Sequence, residues 1–305
     1  MTFMRRASAA LLLACASLFP MIGETQEVTV RKAVQYAVHD GVALNFDVYS
    51  PRSTGRHPAV IGLHGGAWKI GDAATYARWG QWLAQRGYVL VSVDYRLVKG
   101  RQNLYPAAVH DVRAAIQAVR ARADEFGVDP ARIALMGDSA GAHLAALVAL
   151  TADSPLWTSA YPGDPHAQVS AKVKAVVAAY GVYDMVAQWQ HDQIHRPRDN
   201  ITEGFLGVSP AQDRRRFHEA SPLTYTTIDN ASTSFLLTWG TADDIVDPVS
   251  QSEAFLIALK QAGFYVRTVV HQAAPHFWIW DPVDEVGSHN GFLAPRLLRF
   301  LSDRL

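Results

Sequence analysis

Residues 132–151 read RIALMGDSAGAHLAALVALT and contain the clearest structural signal of the sequence. Arg132–Met136 is a short apolar run typical of a buried strand, and Ala140–Thr151 is composed like a buried helix. Between them stands Gly137-Asp138-Ser139-Ala140-Gly141, which fits the pattern G-x-S-x-G. After a strand and before a helix, this pattern predicts a turn so tight that it needs glycine on both flanks. The turn lifts Ser139 Oγ above the sheet, and the helix N-terminus favours negative charge that develops there.

Short apolar runs alternate with segments of helical spacing through most of the chain. The predicted strands are Val28–Val38, Val42–Tyr49, Ala59–Leu63, Tyr88–Val93, Arg132–Met136, Val173–Tyr180, Ser234–Trp239 and Phe264–His271. The predicted helices are Ala73–Gln85, Ala107–Phe126, Ala140–Thr151, Ser250–Ala262 and Leu293–Leu305. This alternation predicts an α/β fold, a mostly parallel sheet with helices on both faces. Asp40-Gly41 lies between the first two strands and predicts an opening β-hairpin.

The composition fits one large domain, because the chain has 305 residues and is 49% hydrophobic. The 28 Lys and Arg residues balance the 28 Asp and Glu residues, so no charge excess points to nucleic acid. We predict that this domain spans residues 24–305. Two stretches that break the alternation, near residues 153–168 and 184–222, are interpreted as cap insertions above the sheet.

Residues 1–23 have the pattern of an export signal, in which more than one cleavage site fits. Arg5 and Arg6 precede Ala7–Phe19, an apolar run that is too short to span a bilayer. Export predicts a periplasmic or secreted protein. Cys15 is the only cysteine, and the loose lipoprotein box that ends at it leaves lipid anchoring as the alternative. The folded part therefore has no thiolate nucleophile and no cysteine-ligated zinc, and we expect no metal and no cofactor.

A second motif, His64-Gly65-Gly66-Ala67-Trp68, follows the predicted strand Ala59–Leu63 directly. Glycines allow the backbone to approach a substrate oxygen closely. The backbone N–H groups of this loop, together with that of Ala140, are predicted to form an oxyanion hole.

A serine nucleophile of this kind needs an acid and then a base, in that order along the chain. Asp243 and Asp244 both follow the strand Ser234–Trp239, beyond a carboxyl end that faces the ligand crevice of a parallel sheet. Asp243 is the preferred acid and Asp244 the alternative. His276, in the loop after the last strand, is the preferred base, and His271 at the end of that strand is the alternative. The sequence thus predicts a triad of Ser139, Asp243 and His276.

HGGAW, DYRL (Asp94–Leu97), GDSAG, GTADDIV and a late histidine together resemble the α/β-hydrolase-fold esterase and lipase family. That family includes hormone-sensitive-lipase-like carboxylesterases, feruloyl and acetyl-sugar esterases, and kynurenine formamidases. The resemblance implies an oxyanion hole of the N–H groups of Gly66, Ala67 and Ala140, with Gly65 as a further donor. Ala67 replaces the third glycine usual in the hormone-sensitive-lipase-like members, and the HGGxW form is more similar to the feruloyl-esterase and formamidase branches.

The predicted activity is hydrolysis of small or aromatic acyl esters, with a small-molecule ester of plant cell walls as one substrate. Trp68 and Trp278 are predicted to form walls of the substrate pocket, because both follow loops that must converge on Ser139; Trp280 adds to an aromatic mouth. Amide hydrolysis of the kynurenine-formamidase kind uses the same triad and stays open. A catalytically inactive binding protein is the alternative from another class, but such proteins lose residues that are all present here.

Overall fold

The computed structural model describes residues 27–305, so the predicted export signal lies outside the described residues. Within these residues, eight strands form one sheet in the order β1-β2-β4-β3-β5-β6-β7-β8. The strands are β1 (Val28–His39), β2 (Val42–Pro51), β3 (His57–Leu63), β4 (Val89–Val93), β5 (Val128–Asp138), β6 (Ala175–Ala179), β7 (Ser234–Gly240) and β8 (Val266–His271).

The sheet is parallel from β4 through β8, and only β2 runs antiparallel to its neighbours β1 and β4. The predicted mostly parallel sheet is therefore confirmed. The opening hairpin is also confirmed, because Asp40 and Gly41 connect β1 to β2 with φ values of 51° and 77°. Positive φ at both central residues is the geometry of a tight hairpin turn, which aspartate and glycine tolerate better than other residues.

Helices cover the sheet on both faces. They are α1 (Ala77–Ala84), α2 (Ala107–Ala121), α3 (Ala123–Phe126), α4 (Ala140–Thr151), α5 (Pro155–Thr158), α6 (Met185–His195), α7 (Ile201–Leu206), α8 (Arg214–Glu219), α9 (Ala254–Gln261) and α10 (His289–Arg304). Short helical turns occupy Ala73–Tyr76, Pro222–Tyr225, Ile228–Asn230, Val249–Glu253 and Trp278–Trp280. No helix within residues 27–305 is long and apolar enough to cross a membrane.

Two predicted helices have different ends in the structure. The helix predicted over Ala107–Phe126 divides at Arg122 into α2 and α3, and Gly127 ends it in the left-handed conformation with φ 67°. The last helix begins at His289 rather than Leu293, because the Oγ of Ser288 caps it by accepting the N–H of Gly291 at 2.8 Å.

The helix after Ser139 lies in the middle of the core. Every residue of α4 is buried, because the helix lies between the sheet, α2 and the turn Pro222–Tyr225. The chain leaves β5, β7 and β8 at the same edge of the sheet, the edge of their carboxyl ends. The loops that hold Ser139, Asp243 and His276 therefore converge there.

The two segments outside the alternation carry short helices. α5 lies within residues 153–168, and α6, α7 and α8 lie within residues 184–222. The second segment packs against the loop of residues 64–68, named here the oxyanion loop after its predicted role. The Phe205 ring stacks there on the Trp68 ring with centroids 4.3 Å apart.

Candidate active site

Ser139 occupies a strained turn between β5 and α4. Its φ is 51° and its ψ −118°, which is rare for a residue with a side chain. Glycine is required on both flanks: a Cβ at Gly137 would lie 2.4 Å from the backbone of Gly141, and one at Gly141 would lie 1.9 Å from the carbonyl oxygen of Leu63. The strain holds the Ser139 side chain clear of the backbone at the sheet edge.

Ser139, His276 and Asp243 form one row of hydrogen bonds. His276 Nε2 lies 3.0 Å from Ser139 Oγ, and His276 Nδ1 lies 2.6 Å from Asp243 Oδ2. A carboxylate only accepts, so Nδ1–H donates to Asp243 and the Nε2 lone pair faces the Ser139 hydroxyl. The three residues are 5–7% exposed, which removes them from most competing water.

Asp243 is held in place from its other side. Its Oδ1 accepts the backbone N–H groups of Ile245 and Val246 at 3.0 Å and 2.9 Å, so the loop after β7 orients the carboxylate. Asp244 is exposed, and its backbone carbonyl oxygen lies 3.0 Å from His191 Nε2. The structure therefore brings Asp243, and not Asp244, to His276.

His271 lies apart from this row. Its Nε2 is 3.1 Å from Thr238 Oγ1, and its ring packs against Trp278. Burial lowers the pKa of His271 to about 4, so the ring is neutral at pH 7. His271 has the geometry of a packed structural histidine.

The loop after β3 turns through three consecutive residues of positive φ: Gly66 at 104°, Ala67 at 52° and Trp68 at 58°. Within residues 27–305, no hydrogen bond uses the backbone N–H of Gly66, Ala67 or Ala140 as donor. Ala140 is the first residue of α4, where an N–H has no partner inside the helix. Ala140 follows Ser139 directly, and the loop with Gly66 and Ala67 follows β3, whose last residue pairs with Gly137 of β5. Donors placed in this way can bind an oxyanion.

The structure corrects the predicted set of oxyanion-hole N–H donors at Gly65. Its N–H donates to Asp138 Oδ1 at 3.0 Å and so has a carboxylate partner already. Its role is to fix the oxyanion loop to the end of β5. A Cβ at this position would lie 2.4 Å from Asp138 Oδ2, so the close approach requires glycine.

Asp138 contacts the loop after β3 and is a residue of this site that sequence reasoning missed. Its buried carboxylate accepts hydrogen bonds from Gly65 N–H and from the Tyr76 hydroxyl at 3.1 Å. Burial raises the pKa of Asp138 to about 6. The only signal in the sequence was an acidic residue at the end of an apolar strand, which demands polar partners.

Trp68 and Trp278, the two predicted pocket walls, are both buried. Trp68 is 0% exposed and Trp278 is 3% exposed. Trp68 packs on Phe205, and Trp278 packs between Tyr180 and His271 with ring centroids at 5.1 Å and 4.3 Å. Both loops do converge on Ser139, but these two side chains turn into the core.

The chain matches the BD-FAE family over residues 46–259 and belongs to that family. It is 35% identical to Esterase LipQ of Mycobacterium tuberculosis over 224 residues, which cover 72% of this chain and 49% of LipQ. The chain spans about half the length of the curated relatives it matches.

Solved structures share the architecture over nearly the whole chain. A truncated carbohydrate esterase from gut microbiota superposes with a TM-score of 0.74 at 23% identity, covering 92% of this chain and 98% of that one. Thermogutta terrifontis esterase 2, in its form phosphorylated by paraoxon, gives a TM-score of 0.70 at 25% identity and covers 92% and 95% of the two chains. The fold is that of the α/β-hydrolases.

Proposed function

We propose that this protein is a serine carboxylesterase in which Ser139, His276 and Asp243 are the catalytic triad. One observation carries the proposal: the row Asp243–His276–Ser139, with contacts of 2.6 Å and 3.0 Å, ends at a strained serine beside three backbone N–H donors. A binding protein has no need of a strained serine that faces a buried imidazole.

The geometry defines the order of proton transfers. His276 Nε2 takes the proton of Ser139 Oγ as Oγ attacks the acyl carbon, and Asp243 stabilises the resulting imidazolium. The N–H groups of Gly66, Ala67 and Ala140 hold the oxyanion of the tetrahedral intermediate. The ester C–O bond then breaks, and His276 gives its proton to the departing alcohol. Water repeats the cycle on the acyl-enzyme and releases the acid.

The comparisons support the ester-hydrolase class. LipQ is named an esterase, and the Thermogutta terrifontis esterase 2 is a protein that paraoxon phosphorylates. The same organophosphate should therefore phosphorylate Ser139 in this chain, because an activated serine attacks phosphorus as it attacks an acyl carbon.

Paraoxon labelling tests this reaction. We expect mass spectrometry to place the phosphoryl group on Ser139 of the wild-type protein, with no label in Ser139→Ala or His276→Ala. His271→Gln is the matched control, a buried histidine outside the row, and should still be labelled. A label on another residue, or equal labelling of the His276→Ala variant, would contradict the assignment.

For the substrate we propose esters of small acyl groups. The expectation of aromatic acyl groups and plant cell-wall esters depended on export and on Trp68, Trp278 and Trp280, and the first two of these rings are buried. A panel of p-nitrophenyl acetate, an acetylated sugar, ethyl ferulate and N-formylkynurenine separates the classes. Preferred turnover of the feruloyl ester would restore the aromatic proposal, and preferred turnover of the formamide would make the protein an amidase.

We also propose that the protein is exported, on the pattern of residues 1–23. N-terminal sequencing of the mature protein tests this. A start within residues 17–24 supports a periplasmic or secreted enzyme. A lipid-modified start at Cys15 would make it a membrane-anchored one, and an intact Met1 would overturn export.

A further inference from the structure

Two exposed aromatic side chains follow His276 directly. Phe277 is 44% exposed and Trp280 is 53% exposed, although single aromatic rings of this size are usually buried. Their rings stack on each other with centroids 5.6 Å apart and an interplanar angle of 17°. We name this pair the aromatic shelf.

The aromatic shelf is held by a strained backbone. Phe277 has a φ of 70°, a left-handed conformation that a bulky aromatic residue rarely adopts. The turn Trp278–Trp280 follows it, and the carbonyl oxygen of Trp280 accepts a hydrogen bond from Arg78 Nη1 at 3.2 Å. Trp278 and Ile279 between the two exposed rings are buried and anchor the turn. Strain of this kind persists where the surrounding structure maintains it, and it clusters at binding sites.

The aromatic shelf adjoins the group that protonates the departing alcohol in the proposed reaction. The Phe277 ring is 4.6 Å from the His276 imidazole, the group that protonates the leaving oxygen. In the proposed reaction the N–H groups of Gly66, Ala67 and Ala140 bind the acyl oxygen, and the leaving oxygen takes its proton from His276. An ester whose leaving oxygen reaches His276 brings its alcohol half close to Phe277, the ring beside that imidazole.

We propose that Phe277 and Trp280 form the subsite for the alcohol half of the ester and select alcohols that carry a flat-faced ring. The inference rests on the proposed esterase function and adds the residues that determine alcohol specificity. Two exposed, nearly parallel rings offer stacking and apolar contact to a phenyl ring or to the C–H face of a sugar ring. An open-chain alcohol fills such a surface less well.

Acetate esters with different primary alcohols test the shelf: hexyl acetate, benzyl acetate, and methyl glucoside acetylated on its primary hydroxyl. The acyl group is constant and none of the leaving alcohols is strongly acidic, so differences in kcat/KM report on the alcohol subsite. We expect Phe277→Ala and Trp280→Ala each to lower kcat/KM for at least one ring ester by roughly tenfold, and for hexyl acetate by less than about twofold. The ester whose kcat/KM falls shows whether the subsite binds a phenyl ring or a sugar ring.

Two controls make the test specific. Phe292→Ala removes a phenylalanine of similar exposure, 46%, from α10, and should affect no substrate selectively. A second control compares ethyl benzoate, which has its ring in the acyl half, with ethyl acetate. Phe277→Ala and Trp280→Ala should change the ratio of kcat/KM for these two esters little. Equal losses of kcat/KM on hexyl and ring esters would contradict the proposal that Phe277 and Trp280 bind the alcohol half. Losses that depend on a ring in the acyl half would contradict it as well. Failure of wild-type protein to hydrolyse any of the esters would instead overturn the proposed function.

Discussion

The indole N–H of Trp68 donates to Nδ1 of His143 at 3.2 Å, and this bond joins the oxyanion loop to the helix that follows Ser139. The indole N–H is a donor only, so His143 Nδ1 accepts and Nε2 carries the proton. Nε2 donates in turn to the carbonyl oxygen of Ala220 at 2.8 Å. Burial lowers the pKa of His143 to about 4, which keeps this neutral tautomer at pH 7. The two hydrogen bonds through His143 thus connect the oxyanion loop, α4 and the segment 184–222.

Trp68→Phe should destabilise the protein and lower kcat equally for all acyl esters. The change leaves His143 Nδ1 buried without a donor, which costs about 1–3 kcal/mol in addition to a small cavity. Trp278→Phe is the matched control, because the Trp278 Nε1 is buried and has no partner among residues 27–305. Thermal unfolding should show a lower Tm for Trp68→Phe than for Trp278→Phe. Equal Tm values for the two variants would show that the bond to His143 contributes nothing.

The Asp138 carboxyl should make stability depend on pH in one direction. Its pKa is about 6 in the folded protein against an ordinary 3.8, so the folded state binds this proton more tightly than the unfolded state does. Its contribution to stability is therefore fully present below about pH 4 and is lost as pH rises through about 6. Asp138→Asn keeps an oxygen acceptor for Gly65 and Tyr76 but cannot ionise.

The difference in unfolding free energy between Asp138→Asn and wild type isolates this group from the other carboxylates. As pH rises from 4 to 7, we expect the unfolding free energy of Asp138→Asn to increase relative to that of the wild type by on the order of 2 kcal/mol. Denaturant unfolding at several pH values measures it. A difference that stays constant with pH would mean that Asp138 titrates normally.

Asp243→Asn should lower kcat by roughly 10⁴, because an amide at this position no longer stabilises the imidazolium and favours the wrong tautomer of His276. Asp244→Asn, the neighbouring and exposed control, should retain kcat within about twofold. Steady-state kinetics on one p-nitrophenyl ester distinguishes the two. Inactivity of the Asp244 variant with an active Asp243 variant would reverse the assignment of the acid.

Local sequence patterns predicted the features of the site that depend on residues adjacent in the chain. The G-x-S-x-G turn needs a strand before it and a helix after it, and both are visible in residues 132–151. The carboxyl ends of parallel strands meet at one edge, so the positions after β7 and β8 predicted Asp243 and His276 as a pair.

What the sequence could not predict depends on partners that are distant in the chain. The Gly65 N–H is bound by Asp138, which lies 73 residues away, and Trp68 stacks on Phe205 from the segment 184–222. Periodicity cannot show which way a side chain in a loop turns. An aromatic residue after a catalytic motif is therefore equally consistent with the core and with a pocket wall. Of the three tryptophans predicted at the mouth, Trp280 is exposed, whereas Trp68 and Trp278 are buried. Phe277 is exposed as well, although no sequence pattern indicated it.

Ser139 is the proposed nucleophile, and the decisive measurement is the kcat of Ser139→Ala on p-nitrophenyl acetate. The substitution removes a hydroxyl whose hydrogen-bond partner is His276 Nε2 at 3.0 Å, and the variant should keep the wild-type Tm within a few degrees. With the fold intact, we predict a loss of about 10⁴–10⁶ in kcat. A folded Ser139→Ala protein that turns over the ester at near wild-type rate would contradict the account.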